Sequence, residues 1–262
     1  MIALFPSRPV ALELFGLQIH WYGLLYLAGF LIAGWLLPRL QKYRNLHLPQ
    51  DAWLTLLSWS VLGVVIGGRL GYVFFYEPQF FLAHPMQIVA VWQGGMAFHG
   101  GLIGVVLVLW LWSRTFKIPL LVLGDIVVVP VAIGLALGRF GNFINQELYG
   151  TVTTLPWGMY FPGAEGLRHP IQLYAVGKDL FIAAVCFWHL RITRENIHRW
   201  GCTGAAFLIF YGVGRFLLEY IRDQQYPLTE IAGITLTRGQ LLCIPMILVG
   251  LGICIWNRLR RH

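Results

Sequence analysis

The sequence predicts an all-α integral membrane protein of seven transmembrane helices, with its N-terminus outside and its C-terminus cytoplasmic. Three observations carry that reading. Of the 262 residues, 58% are hydrophobic and 11% charged, with a mean hydropathy of +0.68, and a soluble domain of this size does not need so much apolar surface. Seven apolar runs approach the roughly 20 residues that cross a hydrocarbon core. Basic residues collect in alternate connections between those runs, as the positive-inside rule requires.

The runs lie near 19–37, 54–76, 98–113, 119–138, 171–190, 203–221 and 239–256. The segment before the first carries Arg8 and Glu13 and shows no cleavage pattern, so that run is expected to remain as a spanning helix. Arg39, Lys42 and Arg44 follow the first run, Arg114 and Lys117 the third, Arg191, Arg194 and Arg199 the fifth, and Arg258, Arg260 and Arg261 the seventh. These connections mark the cytoplasmic side. The opposite connections hold mainly Arg8, Arg168, Arg222 and Arg238. The net charge of +8 therefore follows topology, and no nucleic-acid partner is expected. Cys186, Cys202, Cys243 and Cys254 form no close metal or redox pair and read as small buried hydrophobes. Between runs two and three, Glu77 to Ala97 reads as a short amphipathic element along the interface. The segment at about 145–170, rich in Pro and Gly, reads as a small outer cap on a single polytopic domain spanning 1–262.

Polar residues stand where a membrane disfavours them. Arg69 falls inside run two, His99 opens run three, Asp125 enters run four, Lys178 and Asp179 fall in run five, and Arg215 and Glu219 lie one helical turn apart in run six. Ionisable groups inside a membrane are costly, and their default reading is functional. For Asp125, Lys178, Asp179 and the Arg215/Glu219 pair, the plain alternative is internal neutralisation that fixes helix packing. Arg139, Asn142, Glu147, Arg215, His99 and Tyr22 all belong to the outer ends or outer halves of their runs. Two guanidinium groups, an imidazole and several amides gathered there would suit a phosphate, which guanidinium binds bidentately, and an anionic phospholipid head group is the ligand a membrane offers. No P-loop, His-Glu-x-x-His, Gly-x-Ser-x-Gly or Cys-x-x-Cys occurs, so no nucleotide, zinc or thiol-redox mechanism is indicated.

The stretch Gly138-Arg139-Phe140-Gly141-Asn142-Phe143-Ile144-Asn145-Gln146-Glu147-Leu148-Tyr149-Gly150 resembles, position for position, the Gly-Arg-x-Gly-Asn-Phe-x-Asn-x-Glu-x-x-Gly signature of bacterial prolipoprotein diacylglyceryl transferases. The resemblance extends through His20-Trp21-Tyr22-Gly23, Gly67-Gly68-Arg69-Leu70-Gly71-Tyr72, Gly94 to Gly101, Arg168-His169-Pro170, Tyr211 to Arg215 and Gly239-Gln240. It implies transfer of the diacylglyceryl group of phosphatidylglycerol to the lipobox cysteine of a prolipoprotein, at a site facing the periplasmic leaflet of the inner membrane, without metal or other cofactor. It implies Tyr22, His99, Arg139 and Arg215 as catalytic residues. Arg139, Arg215, Asn142, Glu147, Tyr211 and Asn145 would bind the lipid, with Arg69, Glu219, Arg222 and Gly150 as further members of the site. His99 would serve as base, because a thiol of ordinary pKa near 8.5 is only a few per cent ionised at pH 7 and an imidazole near 6.5 can assist it. The competing reading is a phospholipid transporter or flippase, in which a buried arginine pair carries a head group across the membrane.

Overall fold

A computed structural model describes residues 2–4, 8–194, 200–223, 229–231 and 234–259. The predicted Arg199, Arg260 and Arg261 lie outside the described residues. All seven apolar runs fold as long helices: α1 Trp21–Leu40, α2 Gln50–Phe75, α4 Phe98–Thr115, α5 Leu120–Ile144, α6 Ile171–Ile192, α7 Cys202–Leu218 and α8 Arg238–Leu259, with the short α3 Pro78–Ala83 between α2 and α4. Prolines set several starts. Pro49, Pro119 and Pro170 each stand immediately before a helix, where a fixed φ and a missing N–H cost nothing. Among the described residues six helices are long and apolar enough to cross a membrane, which makes this a mostly helical, multi-pass membrane protein. Helix α4, at 18 residues, stands near the lower limit of spanning length.

The mostly helical structure is consistent with the expected all-α membrane fold, and a few short strands outside the long helices add to it. Strands β1 Ile2–Leu4, β2 Val10–Leu14 and β3 Leu17–His20 form an antiparallel sheet before α1, and β4 Thr229–Ile231 pairs with β5 Ile234–Leu236 before α8. The β2–β3 turn is Phe15-Gly16, both with positive φ (49° and 87°), the backbone of a two-residue hairpin turn that matches strand twist. Its alternation is only a few residues long and abuts a long apolar run, which hides it in a hydropathy reading.

Glycines weld α2 to α4. A Cβ on Gly67 would stand 2.4 Å from the Gly100 carbonyl oxygen, and one on Gly104 2.0 Å from that of Gly63. Gly63, Gly67 and Gly71 thus present a small-xxx-small stripe to Gly100 and Gly104, the close packing that associates helices where apolar surface alone cannot. Helix α5 is the centre of the bundle and packs on α1, α6 and α7. Its most apolar window is 56% buried, against at most 39% in any other candidate span.

The helices alternate in direction, giving two distinct ends. At one, the tail of α1, the starts of α5 and α7 and the tail of α6 converge, with Arg39, Lys42, Arg191 and Arg194 nearby in sequence; this is the basic end. Much of the tight core sits toward it, including Leu37, Leu40, Trp53, Trp112, Leu123 and Leu190. Here Arg44 donates through Nε to Asp125 Oδ2 at 2.9 Å, and to Thr193 and Thr203. Asp125 also accepts the backbone N–H groups of Gly201 and Gly204, both at 2.8 Å. At the other end, the tails of α5 and α7 meet the start of α6 around a cleft.

Candidate functional site

The signature segment does not leave the helix where its apolar run stops. Helix α5 continues through Arg139, Gly141 and Asn142 to Ile144, which places Arg139 about 21 Å along the axis from Asp125 at the 1.5 Å rise of a helix. The chain then turns through Gln146 and Leu148, both left-handed with φ of 60° and 58°. Non-glycine residues in that region are strained, and such strain persists only where surroundings impose it. The surroundings are visible. Glu147 N donates to Asn142 O at 3.1 Å, Asn142 Nδ2 donates to Glu147 Oε1 at 2.8 Å, Asn145 Nδ2 approaches the same oxygen at 3.4 Å, and Gln172 Nε2 donates to the Glu147 carbonyl at 2.7 Å. Asn142, Asn145 and Glu147 therefore shape the turn as a unit. Arg8 donates from Nε to the Ile144 carbonyl at 2.9 Å, placing a cation at the negative end of α5.

Gly150 ends the turn at a three-way junction. It pairs with Arg222, its N–H donates to His169 O at 2.9 Å, and a Cβ there would stand 2.6 Å from the Ile221 carbonyl oxygen and 2.7 Å from His169 Cβ. Only glycine lets these three strands of chain approach so closely.

The cleft itself is lined by Arg139 from α5, Gln172 and Lys178 from α6, and Tyr211, Arg215 and Arg222 from α7 and its C-terminal turn. Arg139 and Tyr211 line it together. Arg215 Nη2 meets Glu219 Oε2 at 2.9 Å, and Arg222 Nη1 stands 3.7 Å from the same oxygen. Lys178 pairs with its neighbour Asp179 and holds its ammonium 4.1 Å from the centre of the Tyr211 ring, a cation–π geometry. Four basic side chains thus face one cleft, with Glu219 and Asp179 bridged to them. Burial, and next the charge of Arg215, push Arg222 below its ordinary value. Arg215, Arg222 and Lys178 remain 14–21% exposed at the side chain, so the cleft is partly open.

Tyr22 stands beside the signature. A Cβ on Gly141 would meet its ring at 2.7 Å, and its hydroxyl bonds with that of Tyr26 at 3.2 Å. Two sequence-predicted residues lie elsewhere. Arg69 is buried and donates to the carbonyls of Ile88 at 2.8 Å, Gly94 at 2.5 Å and Gln87 at 2.5 Å, with its guanidinium 5.0 Å from the Phe81 ring centre. It ties the outer connection to α2 and does not line the cleft. His99 is exposed at the second residue of α4, carried by the α2–α4 pair and not among the residues lining the cleft. Conversely, the sequence reading did not single out Gln172 and left Lys178 open between a functional group and internal neutralisation, without placing it in the site. Their signal was a polar residue two positions after His169-Pro170 and a lysine, Lys178, within one apolar run.

Comparison with known proteins shows what the whole chain resembles. The family model described as prolipoprotein diacylglyceryl transferase matches residues 9–256. Proteins named phosphatidylglycerol–prolipoprotein diacylglyceryl transferase are 43% identical in Cupriavidus necator, over 95% of this chain and 92% of that protein. The Legionella pneumophila (strain Lens) protein of that name is also 43% identical, over 95% of this chain and 96% of its own length. The Geobacter sulfurreducens protein is likewise 43% identical, over 94% of each chain.

Proposed function

The chain belongs to the prolipoprotein diacylglyceryl transferase family, and from that premise we infer that its arginine-lined cleft carries out the transfer. The enzyme is a phosphatidylglycerol–prolipoprotein diacylglyceryl transferase. Phosphatidylglycerol is one substrate and a prolipoprotein the other. The acceptor is the lipobox cysteine thiol; its sulfur attacks the primary carbon of the diacylglyceryl unit, the carbon–oxygen bond to phosphate breaks, and glycerol phosphate departs with the electron pair. A thioether remains, the first modification of lipoprotein maturation.

Negative charge grows on the departing phosphate, so preorganised cations aimed at it give the most direct help. Arg139 and Arg215 are assigned that clamp, with Arg222 and Tyr211 beside them. Asn142, Asn145, Glu147 and Gly150 hold the turn that fixes Arg139 at the cleft mouth. Tyr22 closes the flank against Gly141. His99 is assigned as the base for the thiol, delivered from α4 when the peptide is bound. Seven spans, counting α4, put the N-terminus in the periplasm and the C-terminus in the cytoplasm, with the cleft toward the periplasmic leaflet of the inner membrane and residues 145–170 as its cap.

The observation that carries this reading is the cleft's four basic side chains, three of them bridged to two carboxylates. The test is direct. Purified protein given phosphatidylglycerol and a lipobox peptide should release glycerol phosphate in step with thioether formation. Lipid movement between leaflets without release would identify a transporter instead.

A further inference from the structure

Gln172 is the second residue of α6 and only 1% exposed. Its Nε2 donates to the Glu147 carbonyl at 2.7 Å, and since a carbonyl cannot donate, that bond fixes which end of the amide is nitrogen. The other end, Oε1, is buried and has no protein partner among the described residues. Buried amide oxygens are nearly always hydrogen-bonded, and an orphan calls for an explanation. The cleft that Gln172 lines is otherwise furnished with donors: Arg139, Lys178, Arg215 and Arg222. Donors of that kind suit phosphate oxygens. An amide oxygen cannot bind a phosphate oxygen, because both are acceptors; it needs an O–H or N–H.

We propose that Gln172 Oε1 accepts a hydrogen bond from a hydroxyl of the glycerol head group, making Gln172 a specificity-determining residue that separates phosphatidylglycerol from anionic lipids whose head groups lack a hydroxyl. The assignment rests on the transferase reading above. The cations hold what all anionic phospholipids share, and Gln172 reads what distinguishes this one. Its Nε2 bond to Glu147 also couples the reader to the turn that sets Arg139, so head-group recognition and the phosphate clamp share one frame.

The experiment compares two lipids with identical acyl chains, phosphatidylglycerol and phosphatidylpropanol, whose head group keeps the phosphodiester and loses both hydroxyls. Thioether formation on a lipobox peptide is measured for the full-length protein in detergent. Wild type should favour phosphatidylglycerol by about tenfold or more in kcat/KM, the scale of one lost hydrogen bond at a site built for it. Gln172→Met should bring the two lipids to near parity, while Gln172→Glu, which keeps an acceptor oxygen, should retain a preference. The ratio within one preparation is independent of the folded fraction. A wild-type preference that survives intact in Gln172→Met overturns the assignment, as does a wild type that uses both lipids equally, a result that needs no variant to fold. Absence of thioether from either lipid with wild type would sink the transferase reading itself.

Discussion

The two ends of the bundle both bury ionised groups, and they do so in opposite ways. At the basic end, Arg44 and Asp125 are completely enclosed, with both side chains at 0% exposure. Every direction is answered: the guanidinium by a carboxylate, a carbonyl and two threonine hydroxyls, and the carboxylate by two backbone N–H groups as well. At the cleft end the cations outnumber the carboxylates bridged to them, the side chains are partly open, and two buried amide oxygens, those of Asn145 and Gln172, lack a hydrogen-bond partner among the described residues. A closed charge cluster fixes packing, and on the reading proposed above the open, unbalanced one receives a ligand. That proposal would divide ionisable residues of similar appearance in the sequence into structure and function.

The largest effect expected lies in neither cluster. If His99 removes the thiol proton, His99→Gln should slow transfer at neutral pH by about 10²–10⁴, the usual range for a positioned general base. The deficit should shrink as pH approaches the thiol's ordinary pKa of about 8.5, where thiolate forms unaided. A pH–rate profile of both proteins between about pH 6 and 9, lipid saturating, checks this. Parallel profiles would leave His99 a positioning residue and confine the chemistry to the cleft.

The second expectation contrasts the clusters directly. Asp125→Ala leaves Arg44 buried and uncompensated, and should cost roughly 3–5 kcal/mol of stability. Arg215→Ala opens onto a partly exposed cleft and should change stability far less, while lowering turnover by about 10²–10³ if it stabilises developing phosphate charge. Unfolding in detergent, with turnover per folded molecule, separates the two. Equal stability losses would erase the distinction drawn here. A smaller effect is expected at the glycine seam: Gly67→Ala forces α2 and α4 apart against the Gly100 carbonyl and should cost about 1–3 kcal/mol, as overpacking does. An unaltered unfolding midpoint would mean the seam yields easily and does not hold His99 in place.

Much of this architecture was legible in sequence because membrane helices announce themselves by length and composition. The seven apolar runs match their helices closely, whereas the close glycine packing of α2 on α4 was not read from the sequence and became visible only in the structure. Three things were not legible. Helix α5 outruns its apolar stretch by several residues, since hydropathy scores Arg139 and Asn142 as breaks without seeing that the cleft and Glu147 receive them. Arg44 counted as one more cytoplasmic charge, because its partner Asp125 lies 81 residues away and no local rule joins them. Gln172 looked like one polar residue in an apolar run; its meaning depends on which of its two amide atoms is occupied, a fact of three dimensions. The signature that the sequence made plainest forms the end of α5 and the turn that follows it, yet the cations around it come from three helices.

The central claim is that the cleft acts as a bidentate clamp on phosphate, and Arg139→Lys tests it most directly. The substitution keeps the charge and replaces a planar fork by a point charge. Measured as glycerol phosphate released per folded molecule, with the unfolding midpoint recorded alongside, it should lose most of the activity while folding as well as wild type. Near-normal release from a protein of unchanged stability would contradict the clamp and leave only a general positive potential at the cleft.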